Sequence, residues 1–199
     1  MRREEWMPLN PKALESVSST PSSLEQAALM TYHYTIRPQQ PADADAVSRL
    51  HEEAFGPGRF ARSAYRVRET STGPRIALTA WDGEELVGAI QLTAITVGGR
   101  PGALLLGPLA VAPAYKGRGA GLRLILESLA EARRQGARLV LLVGDLPYYQ
   151  RAGFAAVPQG QVQLPGPADP ARILALELQP GALADFRGPV AADNACARG

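Results

Sequence analysis

The sequence predicts a mixed α/β domain whose central sheet is mostly antiparallel, holds one central pair of parallel, splayed strands and is flanked by helices. Short apolar strands and amphipathic helices share the chain from about residue 31 onward. Residues 103–143 read as strand, helix and strand, and parallel neighbours in a sheet need such a crossover connection. The apolar run Ala103–Val111 is interrupted by Gly107-Pro108. Because proline cannot donate a hydrogen bond to a sheet, a bulge or splay is predicted there.

The first predicted elements are a short strand and a capped helix. The strand covers Tyr32–Arg37. Asp43 is a candidate cap for the helix that follows, since a side-chain oxygen at a helix start accepts a hydrogen bond from an unsatisfied amide. The inner face of this helix, at three- and four-residue spacing, consists of Val47, Leu50 and Ala54.

A hairpin follows a second helical stretch. Its strands are Ile76–Trp81 and Leu86–Val97, and Asp82-Gly83 between them is a strong turn signal because both residue types tolerate left-handed geometry. The helical stretch covers about Phe60–Glu69 and is either a solvated face or the border of a site for an acidic acceptor. Its cations, with one just before it, are Arg59, Arg62, Arg66 and Arg68.

The second half of the chain continues the alternation. An amphipathic helix is predicted over about Gly119–Gln135, a buried strand over Arg138–Val143, a short helix around Leu146–Arg151 and a last strand over Ile173–Leu178. The inner face of the long helix consists of Leu122, Ile125, Leu129 and Ala132.

Composition excludes several classes of partner. The 199 residues are 46% hydrophobic and 20% charged with a formal net charge of +2, so no nucleic-acid partner is indicated. No apolar stretch approaches the roughly 20 residues that span a bilayer, so no membrane association is expected. The charged start has no apolar signal core after it, and Cys196 cannot form an internal disulfide. A cytoplasmic location is therefore expected.

The domain boundaries follow from changes in composition. Residues 1–30 are rich in proline and serine and are expected to form a flexible N-terminal extension. Residues 31–190 form the predicted domain, and residues 191–199 are expected to be a C-terminal tail.

Three glycines stand at alternate positions where the long helix must begin. Gly117, Gly119 and Gly121 alternate with other residues beside the cations Lys116 and Arg118. A helix start exposes unpaired amides and carries roughly half a positive charge, and glycine lets an anion approach the backbone closely. The stretch therefore indicates a phosphate-binding loop, although its spacing matches neither the nucleotide P-loop nor the dinucleotide fingerprint. A glycine-rich connection into a surface helix is the alternative.

The wider context resembles the GNAT superfamily of acetyl-CoA-dependent N-acyltransferases. The stretch LGPLAVAPAYKGRGAG precedes an amphipathic helix, a strand and YYQRAGF. The family's loop pattern Gln/Arg-x-x-Gly-x-Gly/Ala fits residues 116–121, except that Lys116 replaces the usual Gln or Arg. Its Tyr-x-x-x-Gly-Phe element matches Tyr149 through Phe154. The segments GPLAV and GDLPYYQRAGF look most like the YhbS-like subgroup of predicted bacterial acetyltransferases, and the resemblance covers roughly residue 34 to the end.

This resemblance implies the GNAT fold and an N-acetyltransferase that moves the acetyl group of acetyl-CoA to a primary amine of a small molecule or peptide by direct attack, without a metal. It implies that Tyr149 is the general acid that protonates the departing thiolate. By the 3.6-residue period of a helix, the adjacent Tyr148 is expected to point about 100° away. The pantetheine slot matches Leu109, Ala110 and Val111. The residues that match the family's loop for the diphosphate of the cosubstrate are Lys116, Gly117, Arg118, Gly119, Ala120 and Gly121.

The general base and the acceptor stay open at this stage. The strand Ala103–Val111 holds no carboxylate, and the substitutes also have structural explanations; they are His51, Glu52, Glu53 and Asp145. A non-catalytic acyl-CoA-binding or sensing domain is the alternative function, and a longer acyl group or an O-acceptor is a further one. A homodimer is left open. His33 and His51 are too few and too isolated to predict a metal site.

Overall fold

The computed structural model describes residues 33–56, 67 and 69–194, and the structural statements below concern these residues. Helix α1 covers Ala44–Phe55, α2 covers Ala120–Arg134 and α3 covers Leu146–Tyr149, which a 3₁₀ turn continues. The strands are β1 (Thr35–Pro38), β2 (Arg75–Asp82), β3 (Glu85–Val97), β4 (Arg100–Val111), β5 (Leu139–Val143), β6 (Ala155–Ala156), β7 (Val162–Gln163), β8 (Ile173–Glu177) and β9 (Gly188–Ala192).

The described strands form a nine-stranded sheet with one central parallel pair. Its main path runs β1-β2-β3-β4-β5-β8-β6, and every neighbouring pair on it is antiparallel except β4 and β5. The crossover between these two contains α2, as a parallel pair requires. β9 pairs with the end of β3, and β7 pairs with β9. The predicted fold class is confirmed.

Helices and loops cover both faces of the sheet. α2 packs on one face, and its predicted inner residues are all buried, together with Leu124, which is fully buried in the same cluster. α1 packs on the opposite face, where Val47 and Leu50 contact Ala89 and Ala110. The C-terminal segment covers the remainder of that face with Phe186 and other apolar side chains.

Two local predictions differ from the structure. Asp43 stands at the start of α1 but makes no capping hydrogen bond to that helix; it accepts hydrogen bonds from both terminal guanidinium nitrogens of Arg37, at 2.6 and 2.8 Å, and from the amide of Gln40. The hairpin turn lies one residue later than predicted, at Gly83-Glu84, because Asp82 still pairs with Glu85.

Other elements were not predicted or lie outside the described residues. β6, β7 and β9 are short, and alternation over two to five residues gives no periodic signal. β9 continues to Ala192, two residues past the boundary predicted at residue 190. The N-terminal extension and most of the arginine-bearing stretch lie outside the described residues. Within the described chain, each helix is too short or too polar to cross a membrane.

Candidate active site

β4 and β5 separate after only three paired residues. Ala103, Leu104 and Leu105 pair with residues 139–141, and beyond that point each strand stays paired only on its far side. β4 remains paired with β3 as far as Val111, and β5 remains paired with β8 as far as Val143. The edge of β4 from residue 106 to 111 therefore faces a cleft without a partner strand among the described residues, and the predicted splay is confirmed.

A bulge in β4 decides which of its side chains lie on each face of the sheet. Ile90 pairs with Leu109 and Leu92 pairs with Leu106, so Gly107 and Pro108 together stand opposite one residue of β3. The Gly107–Pro108 peptide is cis. Because the extra residue shifts the alternation by one, Leu106 before the bulge and Leu109 and Val111 after it pack on the α2 side. Ala110 packs on the opposite side, against α1.

The glycine loop presents unpaired amides beside this cleft. Gly117 and Gly119 have φ of 78° and 84°, in the left-handed region that favours glycine, and Lys116 and Arg118 are exposed. In the described part of the chain, no backbone acceptor is found for the amides of Gly117, Gly119 and residues 120–122. Amides and cations grouped at a helix start form a site for an anion.

Gly121 is a glycine for a different reason. It is buried in the first turn of α2, and a Cβ atom there would collide with the hydroxyl oxygen of Tyr148 and lie 3.3 Å from Cγ2 of Val111. The hydroxyl of Tyr148 therefore sits between the start of α2 and the end of β4. Burial raises the pKa of Tyr148 above its ordinary value, partly offset by the charge of Arg151, so this hydroxyl stays protonated at neutral pH.

Tyr149 lies on the β5 side of the cleft. Its ring packs over Gly144, where any side chain would collide with it, and meets the ring of Phe154 edge-on at 5.9 Å. The rings of Tyr148 and Tyr149 are nearly perpendicular, at 86°, with centroids 5.0 Å apart. The hydroxyl of Tyr148 lies at the start of α2 and the ring of Tyr149 lies over Gly144, so the two adjacent side chains have different neighbours.

Contacts of Tyr34 and Tyr115 support the glycine loop from the core side, and no sequence pattern predicted them. The hydroxyl of Tyr34, just before β1, donates to the carbonyl of Arg118 at 3.2 Å. The ring of Tyr34 meets that of Tyr115 edge-on at 6.3 Å. The hydroxyl of Tyr115 donates to the carboxylate of Glu85 at 3.0 Å, which raises the pKa of Tyr115 to about 12. No short-range pattern links residues 84 positions apart.

Of the candidate bases, His51 is half-buried with its ring centroid 6.1 Å from that of Phe55, and the three carboxylates are exposed. Glu52 and Glu53 are on the exposed side of α1. Asp145 is 76% exposed, forms an ion pair with Arg172 at 3.1 Å and does not cap α3 with its side chain. Over the described residues, no group of three His, Cys, Asp or Glu side chains is arranged to hold a metal ion.

Comparison with protein families decides the affiliation of the chain. The model of the family described as "Acetyltransferase (GNAT) domain" matches residues 35–157, which include the cleft, the glycine loop and both tyrosines. The chain belongs to the GNAT acetyltransferase family. The resemblance stated from the sequence motifs is thereby confirmed.

Relatives within the GNAT family agree in sequence and in fold. The uncharacterized N-acetyltransferase YjhQ of Escherichia coli is 32% identical over 133 residues, which is 63% of this chain and 72% of YjhQ. The crystal structure of YhbS from Escherichia coli in complex with CoA matches with a TM-score of 0.70 and 25% identity, covering 83% of this chain and 92% of YhbS. A GNAT acetyltransferase from Brucella melitensis in complex with acetyl-CoA matches with a TM-score of 0.60 and 31% identity, covering 82% and 98%.

Proposed function

We propose that this GNAT acetyltransferase transfers the acetyl group of acetyl-CoA to a primary amine of a small molecule or peptide, by direct attack on the thioester. The observation that carries the proposal is the glycine loop, whose unpaired amides stand at the mouth of the cleft between β4 and β5. The two similar solved structures hold CoA and acetyl-CoA, which supports the assignment of the cosubstrate. A cytoplasmic location is part of the proposal.

The loop has the chemistry to hold the diphosphate of the cosubstrate. The amides of Gly117, Gly119, Ala120 and Gly121 supply donors, and helix α2 adds the partial positive charge of its N-terminus. The exposed side chains of Lys116 and Arg118 supply two full charges at the rim. We assign the diphosphate to residues 116–121 on this basis.

The unpaired edge of β4 suits the pantetheine arm. Backbone groups of Leu109, Ala110 and Val111 that point away from β3 meet no partner strand among the described residues, and an arm that carries amides can hydrogen-bond to such an edge as an added strand would. A backbone amide there can also polarise the thioester carbonyl, a contribution on the order of 3 kcal/mol where such a donor has been removed from other enzymes.

We assign proton donation to Tyr149. In the reaction the amine nitrogen bonds to the acetyl carbon, the carbon–sulfur bond breaks, and the sulfur takes its proton from the Tyr149 hydroxyl. The proton that the nitrogen loses on becoming an amide passes to solvent, and solvent returns a proton to Tyr149. Tyr149 is half-buried on the β5 side of the cleft and matches the tyrosine of the family motif. A tyrosine with a pKa near 10 is a weaker acid than a thiol near 8.5, so the transfer depends on geometry.

The acceptor amine must lose its proton before it attacks. At pH 7 this costs about 4.6 kcal/mol for a lysine-like amine with a pKa near 10.4, but only about 1 kcal/mol for an α-amine near 7.8. The strand Ala103–Val111 holds no carboxylate to help, and Glu52, Glu53 and Asp145 lie on exposed surfaces. We therefore expect amines of low pKa to be the better acceptors.

The test is a screen of amines, amino acids, peptides and antibiotics with acetyl-CoA, read out by thiol release. We expect acceptor-dependent release, and we expect Tyr149→Phe to lower kcat by 10²–10⁴-fold with the affinity for CoA retained. Tyr148→Phe, which removes the adjacent hydroxyl, is the matched control and should lower kcat less.

Two outcomes would overturn the proposal. Equal kcat for Tyr149→Phe and the parent would remove Tyr149 from proton transfer. Tight binding of acetyl-CoA without transfer to any acceptor of the panel would favour a sensing domain.

A further inference from the structure

We infer that Tyr34 is a positioning residue that aims the amide of Gly119 at the anion bound by the glycine loop. The inference rests on the proposed binding of the CoA diphosphate at this loop. Tyr34 is only 5% exposed, and its hydroxyl reaches across 84 positions of sequence to donate to the carbonyl of Arg118 at 3.2 Å. A buried side chain thus fixes one peptide group of an otherwise exposed loop.

The geometry of that peptide group links Tyr34 to the anion. The carbonyl of Arg118 and the amide of Gly119 belong to the same trans peptide, since the one cis bond among the described residues lies at Gly107–Pro108. In a trans peptide the carbonyl and the N–H point in opposite directions. Holding the carbonyl against Tyr34 therefore turns the N–H of Gly119 away from the core, and this N–H has no backbone acceptor among the described residues.

Tyr34 is itself held firmly enough to act in this way. Its ring belongs to the main core cluster on the α2 side of the sheet and meets Tyr115 edge-on. Tyr115 is tied in turn to Glu85 at the β2–β3 hairpin. Gly119 has a φ of 84°, in a region that glycine enters about as readily as its mirror image, so the residue alone does not fix the orientation of the peptide. The hydroxyl of Tyr34 supplies that restraint.

Loss of the hydroxyl should weaken binding only through the diphosphate. Without it, the peptide between residues 118 and 119 loses the hydrogen bond that holds its carbonyl and can turn that oxygen, which repels an anion, toward the diphosphate. The net value of one such hydrogen bond corresponds to about a 3- to 10-fold change in affinity. Tyr34→Phe keeps the ring and its packing, so the fold is retained.

The experiment compares Tyr34→Phe with the parent by calorimetry with CoA and by kinetics with two acetyl donors, acetyl-CoA and acetylpantetheine, which lacks the diphosphate. We expect the Kd of CoA and the KM of acetyl-CoA to rise 3- to 10-fold, kcat to stay the same, and kcat/KM for acetylpantetheine to be unchanged. Thr79→Val is the control. It also removes a fully buried hydroxyl, one on the neighbouring strand β2, which accepts a hydrogen bond from the indole N–H of Trp81. This substitution should leave the Kd of CoA and the kcat/KM for both acetyl donors unchanged, even if it lowers the melting temperature.

The outcomes separate this inference from the proposed function. If the parent binds CoA and Tyr34→Phe binds it equally well, the inference alone is wrong. An equal loss with acetylpantetheine would show a general structural role and would also refute it. A parent that does not bind CoA would overturn the inference together with the proposed function.

Discussion

Replacing Gly121 by alanine tests the contact between the start of α2 and α3. The added Cβ would collide with the hydroxyl oxygen of Tyr148, whereas the next atom of that ring, Cζ, lies at 3.7 Å, an ordinary contact distance. Val111 Cγ2, at 3.3 Å, needs to move by only a few tenths of an ångström. The single oxygen of Tyr148 is therefore the main obstacle, and it can be removed separately as Tyr148→Phe.

The expected magnitude follows from these contacts. Overpacking a core typically costs about 1–3 kcal/mol, and exchanging glycine for alanine in a helix returns about 0.5–1 kcal/mol. We expect Gly121→Ala to lower the free energy of unfolding by about 1–2 kcal/mol in the parent. In the Tyr148→Phe background the same substitution should change it by no more than about 0.5 kcal/mol, because the oxygen is gone. The coupling between the two positions is then about 1–2 kcal/mol.

Urea unfolding of the four proteins of this cycle, with equal m-values as a check on two-state behaviour, measures the coupling. For a chain of this length 1 kcal/mol corresponds to about 2–4 °C in melting temperature, which gives a second readout. A cost of Gly121→Ala that is the same in both backgrounds would show that the glycine does not accommodate the tyrosine hydroxyl. A neutral Gly121→Ala in the parent would refute the contact as well.

Three further outcomes are expected. Hydrogen bonds from Arg37 hold the pKa of Asp43 below its ordinary value. The contribution of Asp43 to stability is therefore full above its unfolded pKa, near 3.9, and is lost as pH falls through its folded pKa. Asp43→Asn should be less stable than the parent at pH 7, and urea unfolding at a series of pH values should show this difference shrinking in acid. Leu129→Ala, on the inner face of α2, should lower the free energy of unfolding by about 2–5 kcal/mol in urea, and a loss below 1 kcal/mol would contradict the burial of this side chain. Acetyl-CoA at 100 times its Kd should raise the free energy of unfolding by about 2.7 kcal/mol, which a melting scan would detect as a higher melting temperature. At the same acetyl-CoA concentration Lys116→Ala should show a smaller rise, and no shift in the parent would contradict cosubstrate binding.

The sequence predicted the elements whose signal is periodic or chemical. α2, β3 and the interrupted strand β4 were placed within a few residues, because amphipathic spacing and the Gly-Pro pair act locally. The glycine loop was found through the cost of glycine at a helix start. What Gly121 faces was not predictable, because its partner Tyr148 is brought near only by the fold.

The contacts that the sequence did not yield all join residues of different elements. The hydrogen bond from Tyr34 to Arg118 joins the first described strand region to the loop after β4, and nothing near either residue marks it. The packing of Tyr149 over Gly144 depends on how α3 leaves β5. Asp43 has the position of a helix cap in the sequence, but its carboxylate accepts hydrogen bonds from Arg37 of β1 instead. Tertiary partners decided each of these cases.

Because of its bulge, β4 should tolerate substitutions more readily than the insertion or deletion of a residue. Because side chains alternate, deleting one residue between Leu106 and Leu109 would exchange the positions of Ala110 and Val111 relative to α1 and α2. The small side chain that accommodates α1 would then lie on the α2 side of the sheet, and the larger one would press on α1. Substitutions along residues 109–111 adjust one face at a time, whereas an insertion or deletion there alters both faces at once. Relatives that keep both helices in place are therefore expected to differ in the residues of this segment while conserving their number.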